Sequence, residues 1–473
     1  MVRRFLVCAA LACAASALPM LARVDDTPQI QPPDPSSVYT LFDPDIITPE
    51  CRFASNPLDC TAEAGARDIA TLADGDFATE GDEEAESDLP VDAAGALAET
   101  TAAAAAVRSM ERGFNTRQEV DFEGDANFGT TLDSIVATGI TVHRLFVRWW
   151  DVQCANDDPT RFDFSAYVTL VKEMNARNVR AILTPVGSPN WARAKNRRTP
   201  TVAGEPCQPA PDEAGRPRLL GPFAHDDNLG AWVAFIRQLA ITFQPYDIVG
   251  YEIWNEQNSR NFWDPTPTAQ APNPGAWTVR YCRAAGQIDT FDGGKPVGVG
   301  GLAVVRRDQR DPNRRIRNMK SSTFLARAYA ARRSLCAAKP FDFVAYHPYA
   351  FASVVNGRIA RMARTPAMLE LQAVRAVMRA NRQRGVKIWN TEWGFPSDVL
   401  GITRPQQAAL IRQEHNFLAN LKDPGANGRA FMRFSIMFNP VDGTGANVFE
   451  HMGVLTSSRT PKQPTYDTWS ALP

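Results

Sequence analysis

The chain has 473 residues, 44% of them hydrophobic and 22% charged, which is enough apolar material for a large core and too much for a disordered protein. Its net charge of −1 hides an asymmetry: residues 61–100 hold twelve acidic side chains against one Arg, residues 1–60 sum to −3, and residues 101–473 carry +13. No basic stretch is interleaved with a nucleic-acid motif, so neither DNA nor RNA is an expected partner.

Taken in order, the chain opens with Arg3 and Arg4 ahead of an apolar run from Phe5 to Leu21, with small residues at Ala15–Ala17 and at Ala22. That pattern predicts a cleaved secretory signal over residues 1–22 and a secreted or periplasmic protein. No later stretch is long and apolar enough to cross a bilayer, so no stable membrane span is expected. Residues 23–110 are Pro-rich, then acidic and Ala-rich, with few large apolar groups. Such a segment buries too little surface to offset its ordering entropy, and a largely disordered extension is expected. Six cysteines follow the signal: Cys51, Cys60, Cys154, Cys207, Cys282 and Cys336. An even number in an exported chain predicts disulfides. The pairs Cys51–Cys60, Cys154–Cys207 and Cys282–Cys336 are one choice among the many that six cysteines allow. None has C-x-x-C spacing, so no zinc site is expected.

From residue 111 the pattern changes to regular alternation. Phe114 and Asn115 close a first strand, a helix follows over Ala126–Thr138, and a second strand covers Thr141–Trp149. Helical spacing over Phe164–Asn178 precedes a strand at Val179–Pro185. The helix Leu229–Phe243, with Asp227 as its expected N-cap, leads to the strand Ile248–Trp254. Four more units follow: helix Trp277–Gln287 and strand Pro296–Val304, helix Ser322–Ala337 and strand Phe341–Tyr346, helix Pro366–Gly385 and strand Lys387–Asn390, helix Pro405–Leu421 and strand Arg429–Met437. A closing helix starts at Tyr466. Alternating strands and helices imply βαβ units and a parallel sheet. Eight of them predict a single (β/α)8 TIM barrel over residues 111–473. No strand enters a helix through G-x-G-x-x-G, which argues against a dinucleotide-binding open sheet. The glycines in Val297–Leu302 fit a crowded barrel strand better.

Two strands end in carboxylates. Ile248–Asn258 reads I-V-G-Y-E-I-W-N-E-Q-N, and Val386–Phe395 reads V-K-I-W-N-T-E-W-G-F. In a parallel barrel the C-terminal strand ends form the catalytic rim. Glu256 and Glu392 alone could each be a loop carboxylate or half of a structural ion pair. Together, at matched strand ends, they are the minimum equipment for cleaving a glycosidic bond. One must be protonated to give a proton to the leaving oxygen, and the other ionised to attack the anomeric carbon. Repulsion and burial would raise the pKa of the proton donor.

These residues resemble clan A retaining glycoside hydrolases. The resemblance rests on W-N-E at Trp254–Glu256, T-E-W-G at Thr391–Gly394, R-x4-W from Arg144 to Trp149, H-P-Y at His347–Tyr349, and Gly453-Val-Leu with Lys462 and Tyr466. It covers about residues 112–472. E-I-W-N-E-x-N with a nearby Phe262-Trp263 and the H-P-Y is most similar to family 39, including its bacterial exopolysaccharide endoglycosidases, and next to family 5. The resemblance implies that Glu256 is the general acid/base, that Glu392 is the nucleophile held by Arg144, and that His347 and Tyr349 line the site. Two departures stand out: Gln257 replaces the usual Pro, and Met437-Phe438-Asn439 stands where a Trp is common.

Asn255 is placed to hydrogen-bond a sugar 2-hydroxyl, a contact that strengthens in an oxocarbenium-like transition state. Trp191, Trp263 and Trp393 are candidate sugar-binding aromatics, with Trp191 and Trp263 the expected stacking platforms. Arg306, Arg307, Arg310, Arg314, Arg315, Arg317 and Lys320 crowd one loop. Its ordinary reading is a solvated loop, and its sharper reading is a cationic wall for an acidic polysaccharide. The sequence therefore predicts a carbohydrate substrate, and no metal or organic cofactor, because two glutamates suffice. A non-catalytic carbohydrate-binding barrel and a transglycosylase using the same glutamates are the alternatives.

Overall fold

A computed structural model describes residues 110–115, 128–153, 161–193, 228–259, 262–263, 272–310, 316–336, 341–424, 428–445 and 447–473. The expected signal, nearly all of the Pro-rich and acidic segment, and Cys51, Cys60, Cys154 and Cys207 lie outside the described residues.

The strands are β1 Glu111–Asn115, β2 Val142–Arg148, β3 Arg180–Val186, β4 Ile248–Asn255, β5 Val297–Ala303, β6 Gln309–Arg310, β7 Ile316–Asn318, β8 Phe343–His347, β9 Lys387–Trp393 and β10 Met432–Phe438. All but β6 and β7 close into a barrel in the order β1-β10-β9-β8-β5-β4-β3-β2, and every pairing round it is parallel. The helices Phe128–Val136, Ser165–Asn175, Leu229–Phe243, Pro274–Phe291, Ser321–Leu335, Pro366–Ala380 and Arg404–Ala419 alternate with them, and Thr465–Ser470 closes the chain. The (β/α)8 barrel is thus the fold that the alternation predicts. Two local expectations fail. The Arg-rich segment read as a loop contains the antiparallel β6–β7 hairpin. The N-cap of Leu229–Phe243 is Asn228, not Asp227, and its side chain makes no cap bond; it donates to Ala192 O at 3.0 Å instead.

Local chemistry explains the helix starts that the sequence marks clearly. Thr403 and Gln406 form a reciprocal capping box with Pro405 just inside the helix. Thr365 caps the amide of Met368 ahead of Pro366, and Asn273 caps that of Ala276 ahead of Pro274.

Side chains alternate across a strand with a period of two, and this sets which residues enter the barrel. Phe343, Ala345 and His347 share one face of β8, and Val142 and Arg144 share one face of β2. The lower members of each series join Ile182, Val249, Trp389, Phe434 and Ile436 in an apolar plug inside the barrel. The upper members, Arg144 and His347, are fully buried polar groups toward the C-terminal rim of the barrel. The barrel interior is apolar below and hydrogen-bonded above.

The glycines of β5 have a physical cause. A Cβ on Gly300 would lie 2.2 Å from Trp254 O, and one on Gly301 would lie 1.8 Å from His347 Nε2. Strand β5 must be bare there so that β4 can bend and His347 can enter the site. On the outer surface, Cys282 in the helix Pro274–Phe291 is disulfide-bonded to Cys336 at the end of Ser321–Leu335, with Cα atoms 5.5 Å apart. This is one of the pairings expected from the sequence.

Candidate active site

The site is built on a break in alternation at the end of β4. Glu252 faces the interior, so a regular strand would carry Trp254 inward and Asn255 outward. Trp254 instead adopts φ +73°, and Glu256 follows at φ +43°. The turn sends the Trp254 ring outward, where it packs edge-on against Trp232 at 6.1 Å and donates from Nε1 to Phe262 O at 2.9 Å. Asn255 is thereby delivered to the interior beside Glu252. Left-handed backbone at a non-glycine residue costs on the order of 1–3 kcal/mol, and here it assembles the site.

Arg144 is the centre of the array. Its Nε and Nη2 donate to the two oxygens of Glu252 at 3.0 and 2.6 Å, Nη2 also donates to Asn255 Oδ1 at 2.8 Å, and Nη1 donates to Glu392 Oε2 at 3.0 Å. Glu392 accepts two further bonds: Asn115 Nδ2 donates to Oε2 at 2.8 Å, and the Tyr349 hydroxyl donates to Oε1 at 2.8 Å. Glu256 has a different setting. Its Oε1 lies 3.0 Å from His347 Nδ1, and among the described residues no Lys or Arg is paired with it. A nitrogen of His347 and one oxygen each from Glu256 and Glu392 fall within 4.8 Å of one another.

Burial raises Glu256 well above the ordinary carboxylate range, the Glu392 charge adds to the rise, and Arg144 opposes it. Burial also raises Glu392, but Arg144 and the Tyr349 hydroxyl pull it back, with Glu252 adding repulsion. Glu392 is the member that ionises first, because its oxygens receive three donors, one of them a guanidinium. Burial, and then the Arg144 charge, hold His347 well below its ordinary value, so it is neutral. Burial and the Glu392 charge hold the Tyr349 hydroxyl well above its ordinary value, so it stays protonated and donates.

The cluster of Glu256, His347 and Glu392 has the residue types of a metal site. Its chemistry is already committed otherwise: the Arg144 charge sits on Glu392, and the His347 nitrogen facing Glu256 is at hydrogen-bond distance from it. A cation there would have to displace both contacts and meet the guanidinium.

The structure brings Glu256, Glu392, Asn255, Arg144, His347 and Tyr349 together. It does not bring Trp393 to them. Thr391 faces the interior, so strict alternation would carry Trp393 inward too; the register shift of β9 against β10 between Ser435 and Met437 instead leaves Glu392 in the site and Trp393 fully buried against Phe395 and Trp469. Trp191 is 2% exposed with its ring edge-on to Trp149 at 5.5 Å, and Trp263 is 8% exposed. Neither offers a wide open face.

Sequence reasoning missed Asn115, Glu252 and Thr391. Glu252 carried a signal, since a charge within a buried apolar strand demands a partner. Thr391 Oγ1 donates to Glu252 Oε1 at 3.3 Å and meets His347 Nε2 at 3.2 Å. Gln257, the unusual residue after Glu256, donates from Nε2 to Gly300 O at 2.9 Å and is fully buried, tying the turn to β5. At the other departure the peptide Phe438–Asn439 is cis, and Phe438 packs edge-on against Phe449, which also meets Tyr349. The β6–β7 hairpin is tied to the same rim: Asn258 Nδ2 donates to Met319 O and Ala303 O at 3.0 Å, and Met319 N donates to Asn258 O at 2.8 Å. Arg306 and Arg307 are exposed at its start.

No protein-family model matches the chain, and a search of curated proteins finds no match. Solved structures do match. A glucosidase from Croceicoccus marinus is 13% identical with a TM-score of 0.50, covering 77% of this chain and 67% of its own. GH5_18 from Streptomyces cattleya in complex with GlcNAc is 18% identical with a TM-score of 0.51, covering 77% of this chain and 79% of its own. A second Streptomyces cattleya GH5_18 structure, in complex with Manβ1-4GlcNAc, is 18% identical with a TM-score of 0.52, covering 76% and 79%. At these identities the likeness is one of fold, and the fold is the barrel expected from the resemblance to clan A glycoside hydrolases.

Proposed function

We propose that the chain is a retaining glycoside hydrolase that cleaves O-glycosidic bonds of a poly- or oligosaccharide by double displacement. The observation that carries this reading is the Glu256–Glu392 pair: two carboxylates with oxygens within 4.8 Å of each other in opposite electrostatic settings. Retaining enzymes place their carboxyl groups about 5–5.5 Å apart, and inverting ones roughly 6.5–9.5 Å apart to admit a water. Glu392, fed by Arg144, Asn115 and Tyr349, is the nucleophile. Glu256, beside a neutral imidazole, is the acid that protonates the leaving oxygen and later the base that activates water. Asn255, with its Oδ1 engaged by Arg144, has Nδ2 to offer to a sugar 2-hydroxyl. The neighbouring barrels speak to the fold, and the chemistry rests on the two glutamates.

Digestion of a broad glycan panel with mass-spectrometric readout tests the reading. The wild type should release shorter glycans from at least one class, and Glu256→Gln and Glu392→Gln should lose that release. Full activity in either variant would remove its glutamate from the mechanism. Binding without cleavage by the wild type would favour a carbohydrate-binding barrel instead.

Within this reading, the substrate is an acidic polysaccharide and the protein acts outside the cytoplasm. The exposed Arg306 and Arg307, at the base of a hairpin anchored through Asn258 to the Glu256 turn, support the first part. The N-terminal signal pattern supports the second. Cleavage confined to neutral glycans and insensitive to salt would contradict the acidic substrate.

A further inference from the structure

Both ring nitrogens of His347 are engaged, one with Thr391 Oγ1 at 3.2 Å and the other with Glu256 Oε1 at 3.0 Å. A neutral imidazole donates from one nitrogen and accepts at the other, and its neighbours decide which. Thr391 has a single hydroxyl proton. Glu252 Oε1, 3.3 Å from that hydroxyl, can only accept, and it is fixed in place by Arg144 and by the amide of Gly301 at 2.7 Å. With the Thr391 proton directed to Glu252, Thr391 turns a lone pair toward His347. Nε2 must then carry the imidazole proton, and Nδ1 presents a lone pair to Glu256. A lone pair facing a carboxyl oxygen at 3.0 Å is a hydrogen bond only if the oxygen bears the proton.

We propose that Glu252, Thr391 and His347 form a hydrogen-bond relay that fixes the Nε2–H tautomer of His347 and so holds Glu256 in its protonated, proton-donating form. The proposal rests on the reading of Glu256 as general acid. In it, Glu252 and Thr391 are positioning residues that act through His347.

A charge count supports the direction of the relay. The groups facing Glu256 and His347 are Arg144 from β2, Glu252 from β4, Glu392 from β9, and Tyr349 just after β8. Among the described residues Arg144 is the one cation bonded to these carboxylates, and Glu252 and Glu392 share it. Two anions on one guanidinium leave no counter-charge for a third. An ionised Glu256 would be an uncompensated buried charge, the costliest state available to it. In the opposite arrangement Thr391 donates to His347 Nε2 and His347 Nδ1–H donates to ionised Glu256. That arrangement creates this third anion and takes the Thr391 proton away from Glu252.

The test is the tautomer itself, read by long-range 1H–15N correlation on the full chain labelled with 15N-histidine. The chain has only five histidines, and the His347 signals are identified by their loss in His347→Gln. The relay predicts a protonated Nε2 and a bare Nδ1 at neutral pH in the wild type and in Thr391→Ser, which keeps the hydroxyl. Thr391→Val keeps the shape and removes the hydroxyl. It should move the proton to Nδ1, and the pH at which Glu256 ionises should shift downward. A proton on Nδ1 or a doubly protonated ring in the wild type would overturn the relay, as would an unchanged tautomer in Thr391→Val. No turnover is needed for the measurement. A protein that cleaves no glycan would end the hydrolase reading while the tautomer still tests the relay, and an active hydrolase with Nδ1–H would end only the relay.

Discussion

Arg144 grips Glu252 with two of its nitrogens, at 2.6 and 3.0 Å, and so aims the third at Glu392, also at 3.0 Å. A planar guanidinium held on one side by a carboxylate has no freedom left on the other. In the proposed mechanism the nucleophile Glu392 is thus oriented by Arg144 through a buried contact. Arg144→Met should therefore have two effects. Removing one side of a buried ion pair costs about 3–5 kcal/mol, which urea unfolding would register. Arg144 also lowers the pKa of Glu392, so its loss should raise that pKa and move the acid limb of kcat/KM to higher pH. An unmoved acid limb in a folded variant would show that Glu392 owes nothing to Arg144.

Glu414 presents a liability rather than a function. It is fully buried in the helix Arg404–Ala419, and among the described residues neither carboxyl oxygen has a hydrogen-bond partner. Burial raises it well above the ordinary carboxylate range. A carboxyl whose pKa is raised on folding binds its proton more tightly in the folded state. Stability is then greatest at low pH and falls as pH climbs from the unfolded pKa toward the folded one. Glu414→Met, close in volume and a good helix former, should raise the urea midpoint at neutral pH and leave it little changed in acid. A loss of stability at neutral pH would mean that the carboxylate has a partner worth keeping.

The Cys282–Cys336 bridge closes a chain segment with a sequence separation of 54 and ties two neighbouring outer helices. Cross-links of this span stabilise by about 2–4 kcal/mol, chiefly by restricting the unfolded chain. The double variant Cys282→Ser/Cys336→Ser should lose stability in that range under non-reducing conditions while retaining the wild-type cleavage rate at low temperature. The bridge lies on the outer helices and touches none of the site residues. Equal stability with and without the bridge would contradict this.

The sequence made the barrel legible because its period is strong. Eight apolar strands alternate with helices whose caps, such as Thr403 with Gln406 and Thr365 with Pro366, are local signals. It made Glu256 and Glu392 legible because each stands at the end of an apolar run, where a parallel barrel exposes its chemistry. Glu252 and Asn115 were harder to see. Their roles arise from register between strands distant in sequence, and Asn115 meets Glu392 across 277 positions. The inward delivery of Asn255 depends on the left-handed turn at Trp254, which no propensity predicts for an aromatic residue. Trp393 was hard to place for a related reason. Trp393 lies next to Glu392 in sequence, but the register shift of β9 against β10 turns it into the core beside Trp469. The hairpin within the Arg-rich segment is short and polar, and only its tether through Asn258 gives it a place on the rim.

The central claim is that Glu256 and Glu392 act by double displacement at the anomeric carbon. Its most direct test is the anomeric configuration of the first-formed product, followed by 1H NMR before mutarotation, on whichever glycan the panel shows to be cleaved. Two displacements at the same carbon predict a product of the same configuration as the substrate, with Glu392→Gln forming none. A first product of inverted configuration would mean that water attacks directly, and the assignment of Glu392 as nucleophile would fall.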